Sequence, residues 1–466
     1  MNTLHEQAER LCAQSSSEIQ ADHFDTAEAL LVRALDMDPG MAEAHANLAW
    51  LLDRRGSVSE AVRHYELAIE AQPDNARIHL NFGAKLAELK FFHAAEAAYQ
   101  KALLVDPTLP GTWRNLGVLL AQNGRDAEAE AHLRKALALD PKHAAAHVNL
   151  ACLLLRQGRF DEGWHHLEFR HWVNPIEKRL RCSRWKGQPL QDRVVLVMCE
   201  AGFGDTIQFC RYVAVLRALG AAQVDVLSHP DLKPVLQTLD GVGDVFGFED
   251  DTSVSDWDYW VPAMSVPLYA LTQLDTIPAA IPYVWAPADR LDPWRQMVDR
   301  LSPRPALRVG LVWHGNPASE NDAQRSLPSL QTLAPLWRAT GVQFFSLQKG
   351  NGEREVKRFK GQQPLIDLAP ELQNFADTAA SIMQLDLVIS VDTAVAHLAA
   401  ALGKPCWLLL PAYMTDWRWL KERTDSPWYP QVMRLWRQPK GNDWTPVLAQ
   451  VCEALQTLAQ PASQNT

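Results

Sequence analysis

Three short stretches of the chain carry residue types able to do chemistry. SVDTAVAHLAAALGKP (390–405) places Asp392 and Thr393 directly after an apolar run, with His397 four residues beyond Thr393. If the run is a strand and the Ala/Leu segment a helix closed by Gly403 and Pro405, Thr393 and His397 share one face of that helix near its amino end. Free backbone N–H groups and the positive end of the helix dipole favour a phosphate there. Asp392, an anion, suits a cap or a ligand hydroxyl better than a phosphate. The alternative for His397 is a satisfied interior histidine.

The second stretch, CEAGFGDTIQFCRY (199–212), follows the apolar run VVLVM. Gly202 and Gly204 permit a sharp turn, and Asp205 and Thr206 fall at the mouth of the next helix, with Gln208 one turn further in. A dinucleotide fingerprint fails because Ile207 stands where a third Gly or Ala is required, and the chain has no G-K-[ST] for a P-loop. What remains is a turn that presents the Asp205 carboxylate either as a helix cap or as a general base for a hydroxyl. The third stretch, VWHGNPASENDAQRSLP (312–328), crowds His314, Asn316, Asn321, Asp322 and Arg325 into one loop, with a helix expected to start at Ser326. Arg325 is placed to neutralise a diphosphate or to form a surface ion pair.

These stretches need a framework that puts strand ends together. From Arg193 onward, short β-branched runs alternate with helical segments: 194–199, 223–228, 244–248 and 258–264, then 308–315, 342–349, 387–391 and 406–410. Continuous apolar strands separated by helices predict parallel sheets covered on both faces. The two sets divide near 288–305, which predicts two Rossmann-like domains, 193–300 and 301–466, facing a cleft. Ligands of such sheets collect beyond the carboxyl ends of the strands, where all three stretches lie.

The first third obeys a different rule. Pro39, Pro73, Pro107 and Pro141 recur at one fixed interval, as do Asn47, Asn81, Asn115 and Asn149, and Ala34, Ala68, Ala102 and Ala136. That interval and those residue types are those of the tetratricopeptide repeat, a helical hairpin with a turn glycine at Gly56, Gly124 and Gly158 and a departure at Lys90. About five hairpins over residues 1–173 predict an α solenoid with a concave groove, followed by a linker at 174–192. The four asparagines either line the groove and hold an extended peptide, as the repeat family's use of such positions implies, or bridge neighbouring turns.

Composition narrows the partners. The 466 residues are 47% hydrophobic and 21% charged with a net charge of −10, which argues against nucleic acid. The basic cluster Lys178, Arg179, Arg181, Arg184 and Lys186 reads as a solvated linker face. No run of apolar residues predicts stable membrane insertion, the start lacks a secretory signal, and the expected compartment is cytoplasmic. Seven cysteines without a C-x-x-C pair predict buried free thiols. Asp256-Trp257-Asp258 matches a D-x-D metal motif but falls at a strand start, and the expectation is no metal and no cofactor.

The pair GFGDTIQF (202–209) and SVDTAVAHLAAALGKP (390–405), in that order across two α/β halves, resembles the heptosyltransferase-like glycosyltransferases of family GT9, which have the GT-B fold. GRFDEGWHHLEFR (158–170), SLQKG (346–350), DWRWL and SPWYP (416–430) are similar to bacterial members that carry repeats, including enzymes that glycosylate flagellin and other proteins. The resemblance implies sugar transfer from a nucleotide sugar, without metal and with inversion, to a hydroxyl of a protein recruited by the repeats, flagellin-like acceptors included. Asp205 is then the base, and Arg325 assists the leaving group. Asp392, Thr393 and His397, with Gln348, His314 and Asn316, hold the donor, and Gly202, Gly204, Thr206 and Gln208 shape the acceptor loop. Ala394 stands where the family often has glycine. A glycan or lipopolysaccharide-core acceptor and a non-catalytic scaffold are the alternatives.

Overall fold

The computed structural model describes residues 2–170, 177, 180–250, 256–319, 321–359, 361–439 and 443–460. Val173, Lys178, Arg179 and most of 174–179 in the expected linker lie outside the described residues. The chain divides into two compact units, Met1–Leu150 and Ala151–Thr466.

The first unit is built of helical hairpins. Its helices are α1 (Asn2–Gln20), α2 (Phe24–Met37), α3 (Ala42–Arg54), α4 (Val58–Ala71), α5 (Ala76–Glu88), α6 (Phe92–Val105), α7 (Pro110–Gln122) and α8 (Asp126–Leu139). Helix α9 (Ala144–Arg156) contains the boundary between the units, and α10 (Phe160–Leu167) belongs to the second. Ala34, Ala68, Ala102 and Ala136 are wholly buried, as helices that cross closely require. The turn column has five members, Asp22, Gly56, Lys90, Gly124 and Gly158, at φ values of 59°, 81°, 64°, 80° and 78°. The geometry is therefore left-handed whether or not the residue is glycine, and Lys90 departs in type but not in conformation.

A further column at the same period went unread in the sequence. His45, His79, Trp113 and His147 each donate a ring N–H to the carbonyl oxygen of Pro39, Pro73, Pro107 and Pro141, at 2.9, 2.8, 2.8 and 3.0 Å. Each bond satisfies a carbonyl that the turn leaves without a helical partner. It also makes Nε2 the protonated nitrogen in the three histidines, because a carbonyl only accepts.

The second unit holds two sheets in which every strand pairing is parallel. The first contains β1 (Ser183–Arg184), β2 (Val194–Met198), β3 (Gln223–Ser228), β4 (Val245–Gly247) and β5 (Tyr259–Pro262), ordered β1-β5-β2-β3-β4. The second contains β6 (Leu307–Val312), β7 (Val342–Ser346), β8 (Leu365–Asp367), β9 (Leu387–Val391), β10 (Cys406–Leu410) and β11 (Met433–Arg437), ordered β11-β10-β9-β6-β7-β8. Residues from both sheets, from Val195 to Leu435, share one continuous apolar cluster, so the two halves are packed together rather than held apart. The helix Ala288–Leu301, between the halves, packs on the helix Phe375–Met383, with Trp294 and Arg290 both bonded to Asp377.

The fifth hairpin's second helix, α10, is embedded in this unit. Trp164 is buried, donates to the Thr272 carbonyl at 2.9 Å and meets Trp417 and Trp428 edge-on. Arg170 pairs with the buried Glu200, directly after β2, at 2.6 Å. Five cysteines are buried and Cys152 and Cys182 are half-buried, all free. Burial pushes the Cys199 thiol up to about 12. No helix among the described residues is long and apolar enough to cross a membrane.

Candidate functional site

The loops that follow β2 and β9 meet. Gly202 caps the helix Phe203–Phe209, and the Asp205 carboxylate reaches back to accept from the Gly202 N–H at 2.9 Å. Gly204 lies against the helix Ala394–Ala401: a Cβ on it would sit 2.9 Å from Cδ2 of His397 and 3.7 Å from the Ala394 Cα. Only a residue without a side chain fits, so the glycine here serves close approach rather than turn geometry.

Asp205 is also held from the other half of the unit. Its second oxygen accepts from the Arg418 guanidinium, a residue that sequence reasoning missed as a site residue although DWRWL contains it. Arg418 is nearly buried and also donates to both oxygens of Asp416 at 3.0 Å and to Gln208 at 2.5 Å. Burial works against its charge, but Asp416 and Asp205 outweigh that and hold the guanidinium above its ordinary value. Burial pushes the Asp416 carboxyl up and Arg418 pulls it down; the nearby Asp392 and Asp205 charges leave it raised. For Asp392, burial is overcome by His397, 3.8 Å away, by the Trp419 indole N–H at 2.8 Å and by Arg418, and its carboxyl is held below the usual range.

Thr393 caps the helix Ala394–Ala401 by position, but its hydroxyl is turned to Ser390 at 2.9 Å and bonds no helix amide. Asp392, considered as a cap, faces His397 and Trp419 instead. His397 is 5% exposed, leans on the Trp419 ring and shares a hydrogen bond of 2.8 Å between Nδ1 and the Tyr429 hydroxyl. The histidine is thus an interior residue on one edge and borders the Asp205 loop on the other. Leu420, just after this stretch, holds φ 52° and ψ −165°, a region nearly reserved for glycine, and Ala201 has φ 60°. Such strain collects where surrounding structure fixes a loop for function.

The loop after β6 is a neighbour through the sheet, since Val312 pairs with Ser390. A short helix Asp322–Arg325 ends at Arg325, and Ser326 is extended, so the expected helix start at Ser326 is replaced by a turn. The reason is local: Ser326 Oγ donates to Asp322 and accepts from the Gly315 N–H. Arg325 folds over Gly315 and pairs with Asp322 at 3.3 Å. His314 is half-buried beside Glu355 at 3.3 Å, and Asn316 is exposed and caps its own turn. Gln348 is buried with every polar valence engaged by backbone of residues 313, 314 and 349, so it braces the ends of β6 and β7. Gly202 and Asp205 reach solvent, whereas Thr206 and Gln208 are buried.

Asp258 of the D-x-D stretch lies at the opposite, amino end of its sheet, where it accepts from the Val194 N–H and pairs with Arg193, both at 2.8 Å. Among the described residues no group of three or more His, Cys, Asp or Glu is placed to hold a metal ion. In the repeat unit, Asn47 bonds Ser16 of α1 at 3.4 Å and Asn115 accepts from Arg114. Asn81 is exposed and Asn149 half-buried.

Comparisons with known proteins match different stretches of the chain to different families. Residues 18–89 match the tetratricopeptide repeat family, residues 80–169 a tetratricopeptide-like middle domain of cilia and flagella-associated protein 70, and residues 294–410 the glycosyltransferase family 9 (heptosyltransferase) family. Protein FlbA of Caulobacter vibrioides is 27% identical over 301 residues, covering 59% of this chain and 48% of that protein, so the chain spans about half the length of this relative. Among solved structures, Pseudomonas aeruginosa PilF is 19% identical with a TM-score of 0.36, covering 46% of this chain and 86% of its own. The repeat protein YrrB is 20% identical with a TM-score of 0.29, covering 34% and 82%. The chain thus joins tetratricopeptide repeats in its first part to a glycosyltransferase family 9 (heptosyltransferase) region in its second.

Proposed function

We propose that the chain is a glycosyltransferase that moves a sugar from a nucleotide-sugar donor to a hydroxyl, and that Asp205 is the base. The observation that carries this reading is the seating of the Gly204–Asp205 turn on the amino end of the helix Ala394–Ala401. A donor diphosphate at that helix end brings the sugar C1 beside Asp205, from the other half of the unit. The acceptor oxygen bonds to C1, its proton passes to Asp205, and the C1–O bond to the diphosphate breaks on the opposite face, giving inversion. Two of the four acceptor positions of the Asp205 carboxylate are taken by Gly202 and Arg418, which leaves others for the hydroxyl. His397 and Arg325 stabilise the charge that grows on the leaving oxygen, and Asp392 and Thr393 hold the donor. No metal is assigned a step, and the two sheets act as the two faces of a donor and acceptor cleft of the GT-B kind.

The acceptor in this reading is a Ser or Thr of a cytoplasmic protein recruited by the repeats. Asn81 and Asn149 are the members of the asparagine column best placed to hold it, because Asn47 and Asn115 are already bonded within the chain. Purified chain incubated with a panel of nucleotide sugars and with protein, glycan and simple alcohol acceptors tests the reading. Release of a nucleoside diphosphate that depends on acceptor, and that Asp205→Asn lowers by about a hundredfold or more, is expected. Absence of release with every pair assigns the chain to a scaffold, and release with glycan acceptors alone replaces the protein acceptor.

A further inference from the structure

A buried cation stands behind His397. Arg211 is 3% exposed, and its described partners are all oxygens without a formal charge: the carbonyls of Gln208 at 2.8 Å, Pro278 at 3.2 Å and Trp428 at 2.5 Å, and the Tyr283 hydroxyl at 2.9 Å. Its guanidinium lies 4.6 Å from the ring centroids of both Tyr283 and Tyr429. Tyr429 in turn holds Nδ1 of His397.

We propose that Tyr429 is a positioning residue that fixes His397 as the neutral imidazole with its proton on Nε2, and that Arg211 and Tyr283 set the direction of that bond. The proton positions rest on what each partner can donate or accept. Tyr283 donates its hydroxyl proton to the Ile207 carbonyl at 2.9 Å, because a carbonyl only accepts. The Tyr283 oxygen accepts from Arg211, which has only donors. With the Tyr283 proton committed to Ile207, its 3.4 Å contact with the Tyr429 oxygen is no strong bond, and the Tyr429 proton is directed along the 2.8 Å contact to His397 Nδ1. Burial pushes the Tyr429 phenol up to about 12 against the pull of Arg211, so it keeps the proton it donates. With Nδ1 accepting, the imidazole proton sits on Nε2, the nitrogen 3.8 Å from Asp392 and on the side of the ring that faces Gly204.

The outcome is a neutral donor aimed at the place where the Asp205 turn meets the donor helix. A neutral N–H stabilises an oxyanion without carrying a charge that Asp392 would neutralise. Its part in transfer rests on the proposed reaction; the tautomer does not.

Nuclear magnetic resonance of the full chain with isotopically nitrogen-labelled histidine reads the tautomer directly, with His397→Gln identifying the signal. The expected wild-type spectrum shows a neutral ring protonated on Nε2, and Tyr429→Phe moves it toward protonation on Nδ1. A wild-type ring protonated on Nδ1, or a Tyr429→Phe spectrum unchanged from wild type, overturns the proposal. If Tyr429→Phe does not fold, the wild-type spectrum alone decides. In donor turnover, Tyr429→Phe is expected to lower kcat by about ten- to a hundredfold with little change in donor KM. A rise in KM with kcat unchanged overturns the positioning role. Failure of wild-type turnover with every donor overturns the transfer reading and leaves the spectral result standing.

Discussion

Gly204 and His397, from opposite halves of the α/β unit, are in such close contact that a single methyl group on the first would stand 2.9 Å from the ring of the second. The contact joins two of the three stretches whose residue types pointed to chemistry.

Gly204→Ala is expected to push the Asp205 turn away from the helix Ala394–Ala401 with only modest loss of stability, about 1–3 kcal/mol for an overpacked site. Donor turnover should fall more steeply than nucleotide affinity. Thermal unfolding alongside turnover checks this, and a variant as active as wild type removes the contact from the mechanism.

Arg418→Gln leaves Asp205, Asp416 and Asp392 facing one another without their shared cation. Breaking such a nearly buried pair costs about 3–5 kcal/mol. Adding Asp416→Asn should recover part of that stability and none of the activity, because Asp205 still lacks its partner. Denaturant midpoints and turnover of the single and double variants separate the two effects, and recovered turnover would show that Arg418 acts on structure alone.

The repeat unit contains a local pH response. His45 donates from Nε2 to Pro39, so its Nδ1 accepts from the His64 Nδ1–H at 2.8 Å, and the nitrogen of His64 left to take up a proton is Nε2. Burial, then the His45 and Arg63 charges, lower the His64 value against a smaller upward pull from Glu60. A base with a lowered folded-state value gives stability that is complete above its unfolded value, about 6.5, and is lost as pH falls from there through the folded value. Hydrogen exchange in α3 and α4 should therefore quicken as pH drops below about 6.5, after correction for intrinsic rates. His64→Gln, which keeps a donor without a titrating ring, should flatten that response.

Lys90 is the one position in four sequence-visible turns that lacks glycine while keeping the left-handed backbone, at φ 64°. Lys90→Gly is expected to stabilise the repeat unit by about 1 kcal/mol, the usual cost of that conformation for a residue with a Cβ. An unchanged or lower unfolding midpoint would mean that the lysine side chain returns what its backbone costs.

The repeat columns and the main sheet strands were legible because each has a strict signal: a fixed spacing for the hairpins, and apolar runs bounded by turn residues for the strands. The strands β1, β8 and β11 were not, since β1 and β8 span only two or three positions and β11, MRLWR, alternates with arginine. The site was legible where backbone chemistry is local. Asp205, Thr393 and His397 stand at strand ends, and a strand followed by a Gly turn or an Ala helix is visible in a short window of sequence. Arg418 and Tyr429 were quoted only within matching stretches because nothing local marks them. Their roles arise from partners distant in sequence, Tyr429 with His397 and Arg418 with Asp205. Gln348 was named as donor-binding through the resemblance, and the backbone groups that engage its side chain belong to strand ends joined only in the fold.

The tryptophan wedge of α10 has a bearing on how such a chain changes over time. Because Trp164 and Arg170 are bound to Thr272 and Glu200, an exchange of genetic material that cuts at the first long strand would strip the α/β unit of its own core. A crossover upstream of Ala151 spares it. The helical hairpins ahead of that point can then be lost, duplicated or replaced in whole repeats, with the segments that carry Asp205 and His397 inherited intact.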